Sequence, residues 1–126
     1  MRITDLLSKQ SITLDLKATN KMAAIDELVD LVHASGNLSD KEAYKKGIIA
    51  REEQSTTGIG EGIAIPHAKT KAVKKACLGA AVSQSGVDYE SFDGSFSSFI
   101  FPDCRPRWSE YYTLRSVISF INDFNG

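Results

Sequence analysis

Residues 51–69 read REEQSTTGIGEGIAIPHAK. The charged opening has the character of a helix end, and Ser55 to Gly62 then packs three hydroxyls and three glycines into eight residues. Such a composition predicts irregular backbone with exposed N–H groups, a loop and not a regular element. Ile63-Ala64-Ile65 reads as a short apolar strand. Pro66 has a fixed φ and no N–H, so regular pairing is expected to stop just before His67. The layout holds one histidine out for chemistry.

Upstream, Thr19 and Asn20 are both N-cap types, and Met22, Ile25, Leu28, Val29 and Val32 follow at helical spacing up to a stop at Gly36. His33 falls near the C-terminal end of this helix, where the dipole favours a cation, so a cap or surface role accounts for it. Ser39 followed three residues later by Glu42 matches a capping box. The helix it opens offers Ala43, Tyr44, Gly47, Ile48 and Ala50 for packing and ends around Arg51 to Gln54. Before the first helix, Ile12 to Leu16 alternates as a brief strand would.

Downstream of a basic segment, Lys69 to Lys75, the run Ala76 to Val82 is apolar on both faces, as an interior strand is. Cys77 within it is most simply a small buried hydrophobe. Ser83 to Gly94 reads as a turn-rich connection with an extended piece at Val87 to Tyr89, and Phe99 to Phe101 as a further strand. Helices alternating with short apolar strands indicate an α/β protein, a mixed β-sheet flanked by helices in an α/β/α sandwich.

The chain has 126 residues, a formal net charge of −1 and two cysteines. That length suits one domain. Near-balanced charge gives no electrostatic footprint for nucleic acid or an anionic membrane. Two cysteines are too few for a disulfide framework and lack zinc-site spacing, so a reducing compartment is the default. The N-terminal MRITDLLSKQ lacks the apolar core of a signal peptide, and no run reaches membrane-spanning length. A cytoplasmic protein is expected.

From Pro102 the texture changes, since PDCRPRWSEYY mixes prolines, arginines and aromatics with no helical or strand period. With synonymous codons chosen freely, residues 99–121 back-translate so that the frame displaced by one nucleotide encodes an apolar strand, a turn, a Thr cap and the start of an amphipathic helix. The expectation is therefore a frameshift near Phe96 to Phe101. It divides the chain into an incomplete domain at 1–101 and a divergent tail at 102–126, with C-terminal elements altered or missing and Val117 to Ile121 as an opportunistic apolar segment.

Neutral imidazole is a good nucleophile near neutral pH, and its phosphoramidate is labile, so a histidine suits a phosphoryl group that is held and passed on. Such transfer asks of its surroundings an arginine, hydroxyls and backbone donors beside glycines. Arg51, Thr56, Thr57, Gly58 and Gly60 are those types.

Arg51-Glu52, Thr56 to Gly60 and Gly62 to His67 together resemble the active-site signature of enzyme IIA domains of the sugar phosphotransferase system, of the fructose/mannitol/nitrogen-regulatory type. The resemblance covers the first three quarters of the chain. It implies that phospho-HPr phosphorylates His67 on Nε2 and that an enzyme IIB domain then accepts the group, with fructose as the sugar. Arg51 would steady phosphate oxygens, Thr56 and Thr57 would hydrogen-bond the imidazole or the phosphate, and Gly58 and Gly60 would shape the loop. No metal, nucleotide or other cofactor is implied, and contact with a membrane comes only through enzyme IIC.

Alone, a histidine behind a proline is usually a solvent-facing strand end, and Arg51 would equally serve as a favourable charge at a helix C-terminus. Glu52, Glu53, Glu61 and the lysines of 69–75 read as solvated charges. Two other functions compete with sugar transport: a regulatory binding module switched by phosphorylation of His67, and an inactive remnant of the domain.

Overall fold

The computed structural model of the chain describes residues 7–106, so most of the tail at 102–126, including Val117 to Ile121, lies outside the described residues. Helix α1, Lys21–His33, starts where the sequence places it, with the Asn20 side chain accepting from the Ala23 N–H. Ala24, Ile25, Leu28, Val29 and Val32 form its buried stripe. Met22, expected on that stripe, is instead 52% exposed. His33 stands exposed in the last turn.

Helix α2, Lys41–Gln54, is capped by Asp40, which accepts from the Ala43 N–H at 3.1 Å. The expected Ser39–Glu42 box does not form. The Ser39 hydroxyl donates to the Ala72 carbonyl instead, leaving the neighbouring Asp40 to cap. Tyr44 and Ile48 are the buried residues of α2, and Ala50 is exposed.

Among the described residues, seven strands make one mixed sheet: β1 Leu7–Thr13, β2 Gly58–Gly60, β3 Ile63–Ala64, β4 His67–Thr70, β5 Cys77–Val87, β6 Ser97–Ile100 and β7 Asp103–Pro106. Their order is β2-β3-β6-β5-β7-β4, with β1 also paired to β5 in parallel. The register is continuous across two apparent breaks. Ile63↔Phe99, Ala64↔Ile100 and His67↔Asp103 keep one parallel offset, so β3 and β4 are two parts of one run interrupted at Ile65-Pro66. Ala81↔Ile100 and Cys77↔Cys104 likewise keep one antiparallel offset through β6 and β7.

Several expectations change accordingly. Pro66 interrupts the run without ending it, because its carbonyl still accepts from the Asp103 N–H at 2.9 Å. Loop residues 58–60 pair with β3 as a short strand. The interior strand extends through Ser83 to Val87, where a turn was expected, and Asp103–Pro106 is a strand despite its lack of pattern. The lead-in strand lies at Leu7–Thr13, earlier than Ile12 to Leu16.

Both described helices pack on one face of the sheet, where Ala64, Ala68, Cys77, Ala81, Ile100 and Cys104 meet the stripe of α1 and the Tyr44 and Ile48 of α2. Alternation sends Ile63, Ile65, Leu78 and Phe101 to the other face, where they form a second cluster. His67 shares the parity of Ile63 and Ile65 and so belongs to this second face. Cys77 is buried as expected, but it is not free: the register sets it opposite Cys104, and the two form a disulfide. Two cysteines too few for a framework still make one bridge, because neighbouring strands bring them together.

Candidate functional site

The interruption at Ile65-Pro66 builds the site. Along a strand, the N–H and C=O of one residue point to the same side, and the next residue's point to the other. Pro66 faces the β6–β7 run, so Ile65 faces outward. Its N–H donates to the Thr57 carbonyl at 3.0 Å, and its carbonyl lies 2.9 Å from Nδ1 of His67. A carbonyl only accepts, so Nδ1 carries a proton, and in the neutral ring Nε2 keeps its lone pair. The half-buried ring is thereby fixed in the tautomer whose Nε2 is nucleophilic.

Asp103 is the parallel partner of His67 and occupies the same face. It is fully buried, its Oδ2 accepts from Nε and Nη2 of Arg105 at 3.0 and 2.8 Å, and its carbonyl accepts from the Tyr44 hydroxyl at 2.9 Å. An ion pair therefore stands beside the imidazole. Asp103 and Arg105 escaped the sequence reading, since the only signal for them is the alternation of one four-residue strand.

The other proposed site residues sit on the glycine loop or at its entrance. Arg51, in the last turn of α2, donates through Nη1 to the Ser55 carbonyl at 2.9 Å and to its hydroxyl at 3.4 Å. The Thr56 hydroxyl donates to the Tyr89 carbonyl at 3.2 Å and accepts from the Gly58 N–H at 3.1 Å. Thr57 is buried, its N–H donates to Oε1 of Glu52 at 2.9 Å, and its hydroxyl donates to Oε2. The structure thus joins Thr57 to His67 through Ile65, while the described contacts of Arg51 and Thr56 stay within and around the loop.

Glu52 is not the solvated charge expected of it: its side chain is 5% exposed, lies 3.0 Å from Lys21 Nζ and also accepts from the Tyr89 hydroxyl at 3.1 Å. Burial and the facing Glu52 carboxylate raise the Tyr89 phenol well above its ordinary pKa, so it stays a donor.

The loop needs its glycines. A Cβ on Gly58 would fall 2.4 Å from the Ser91 hydroxyl and 2.9 Å from its Cα, and Gly60 has φ +98°. Asp93 holds the turn after Gly60, accepting from the Glu61 N–H at 3.0 Å and from the Ser95 hydroxyl and N–H at 2.6 and 2.9 Å. The Ser95 hydroxyl, then the backbone donors, depress the Asp93 carboxyl to about 2. A carboxyl depressed on folding stabilises the fold above its unfolded pKa, and that contribution is lost as pH falls through the folded value. The turn is therefore expected to loosen between about pH 4 and 2. The amide signals of Glu61 and Ser95 should titrate in that window, and Asp93→Asn should remove the titration.

Among the described residues, no cluster of three or more His, Cys, Asp or Glu side chains has metal-binding geometry, and no helix is long and apolar enough to cross a membrane. Fold and site together define an α/β domain that presents one imidazole, its Nδ1 tied down and its Nε2 free, beside a glycine-rich loop. The chain belongs to the family described as "Phosphoenolpyruvate-dependent sugar phosphotransferase system, EIIA 2", which matches residues 5–123.

Over 101 residues it is 48% identical to a "PTS system fructose-specific EIIABC component" of Bacillus subtilis, a match covering 80% of this chain but only 16% of that much longer protein. A "PTS system fructose-specific EIIA component" of Haloferax volcanii is 36% identical over 104 residues, 80% of this chain and 68% of the relative. The crystal structure of the nitrogen regulatory protein IIA-Ntr of Neisseria meningitidis superposes with a TM-score of 0.77 at 25% identity, over 96% of this chain and 80% of that one.

Proposed function

We propose that this chain is a phosphocarrier of a phosphoenolpyruvate-dependent sugar phosphotransferase system, with His67 as the residue that carries the phosphoryl group. The observation behind this reading is the hydrogen bond from Nδ1 to the Ile65 carbonyl, which leaves Nε2 as the available nucleophile. The lone pair of Nε2 attacks phosphorus of the phosphohistidine of HPr, the new N–P bond forms as the donor's N–P bond breaks, and that electron pair returns to the donor imidazole. Throughout, the Nδ1 proton stays on the ring, where the Ile65 carbonyl stabilises the developing positive charge. An enzyme IIB domain then takes the group by the reverse displacement.

Arg51 and Thr56 are proposed to line the phosphate side of the loop, held by their ties to Ser55 and Tyr89, while Thr57, buried with both donors on Glu52, is proposed to support the loop from behind. The fructose-specific names of the Bacillus and Haloferax relatives support fructose as the sugar. A cytoplasmic location follows from this reading, since HPr is met there.

Incubation with phosphoenolpyruvate, enzyme I and HPr should add one acid-labile phosphoryl group, seen by intact mass, and a fructose-type enzyme IIB should remove it. A chain that stays unmodified overturns the reading. The likeness to a nitrogen regulatory protein favours a second role, in which phosphorylation of His67 alters the affinity for a regulated protein. In that case HPr loads the chain but enzyme IIB does not discharge it.

A further inference from the structure

We infer that Glu52 is a positioning residue for His67, acting through an unbroken series of hydrogen bonds; the inference rests on the phosphocarrier reading. The Glu52 carboxylate grips both donors of Thr57, the N–H and the hydroxyl. That fixes the Thr57 carbonyl as acceptor for the Ile65 N–H, and so orients the Ile65 carbonyl that accepts from Nδ1. Glu52 is itself fixed by Lys21 at 3.0 Å and the Tyr89 hydroxyl at 3.1 Å, and the Lys21 ammonium also lies 5.0 Å from the centre of the Tyr89 ring. The described contacts of the carboxylate are to Thr57, Tyr89 and Lys21, and none is to the imidazole. Its part is to hold the tautomer.

A carboxylate that was merely part of the core would be a costly choice, because two desolvated charges gain little over apolar packing of the same volume. Here the two carboxylate oxygens satisfy the N–H and the hydroxyl of Thr57, the two donors of that residue that the neighbouring β3 strand does not take. A group able to accept two donors at that point steadies the Thr57 carbonyl against the Ile65 N–H on the outer side, while the bonds of Ala64 and Pro66 to β6 and β7 hold the strand on the inner side, and small displacements of a positioned group are felt in rate.

The test is the nitrogen-15 signature of the His67 ring, read without any phosphotransfer, together with the rate of loading by phospho-HPr. The wild type should show well-separated nitrogen shifts, those of a single tautomer with the proton on Nδ1. Glu52→Ala should move the two shifts toward each other as tautomers mix, and slow loading roughly 10-fold or more. Glu52→Gln, which can still accept from the N–H and donate to the hydroxyl of Thr57, should restore most of both.

A folded Glu52→Ala protein with wild-type ring shifts overturns the inference. If that variant does not fold, Thr57→Val decides instead: it keeps the N–H contact and loses the hydroxyl, so the shifts should move part of the way, and unchanged shifts overturn the inference. Failure of the phosphocarrier reading looks different, since the wild type would then take no phosphoryl group whatever its ring shifts.

Discussion

His67→Ala should abolish phosphoryl acceptance entirely while leaving the fold in place. The loss is complete because nothing else near the site offers an imidazole lone pair: the second histidine, His33, is exposed at the end of α1. The fold survives because the ring makes one described hydrogen bond, to an outward-facing carbonyl that water can serve instead, and a bond of this kind is worth about 1 kcal/mol net. Incubation with phosphoenolpyruvate, enzyme I and HPr, followed by intact-mass and melting measurements on both proteins, checks the two halves together. A mutant that still gains an acid-labile phosphoryl group would place the carrier residue elsewhere.

The largest stability effect is expected at the bridge between Cys77 and Cys104. It links β5 to β7 across a sequence separation of 27 residues, with both sulfur-bearing residues buried. A loop of that size, once closed, removes chain entropy from the unfolded state worth about 3–4 kcal/mol. Reduction under conditions that keep the protein soluble should therefore lower Tm by on the order of 10 °C. Cys77→Ala with Cys104→Ala should do the same without reductant. In the cytoplasmic location proposed above, reductants oppose such a bridge, so two buried thiols would be the form expected there. Alkylation under denaturing conditions, after lysis into blocking reagent, counts them.

Much of this was legible in the residues. The stripe Ile25, Leu28, Val29 and Val32 announces α1, because a helix on a sheet must bury one side, and Met22 departs only because it lies a turn too early to reach the core. The string around His67 was legible as a family signature, although its local structure was not. Three glycines hid the pairing of β2, and Pro66 looked like a stop because sequence shows the missing N–H but not the carbonyl that still pairs.

Long-range register was the part out of reach. The polar run at Ser83 to Ser85 disguised the far half of β5, and nothing local marks Asp103 as the neighbour of His67 or Cys104 as the partner of Cys77. Glu52 was misjudged for a related reason. One acid among the charges of a helix end looks solvated until the elements carrying Lys21 and Tyr89 close over it.

The outward-facing backbone of Ile65 has one more consequence. Among the described residues the sheet order ends on β4, so this side is a place where a stray extended chain could add itself as another strand. Thr57 takes the amide of Ile65 and the imidazole takes its carbonyl, leaving no free pair at that residue for an intruder to copy. With the group carried on Nε2 as proposed, the seal on Nδ1 would persist in both the loaded and the empty carrier, and a residue displayed for chemistry would also cap the sheet edge at Ile65.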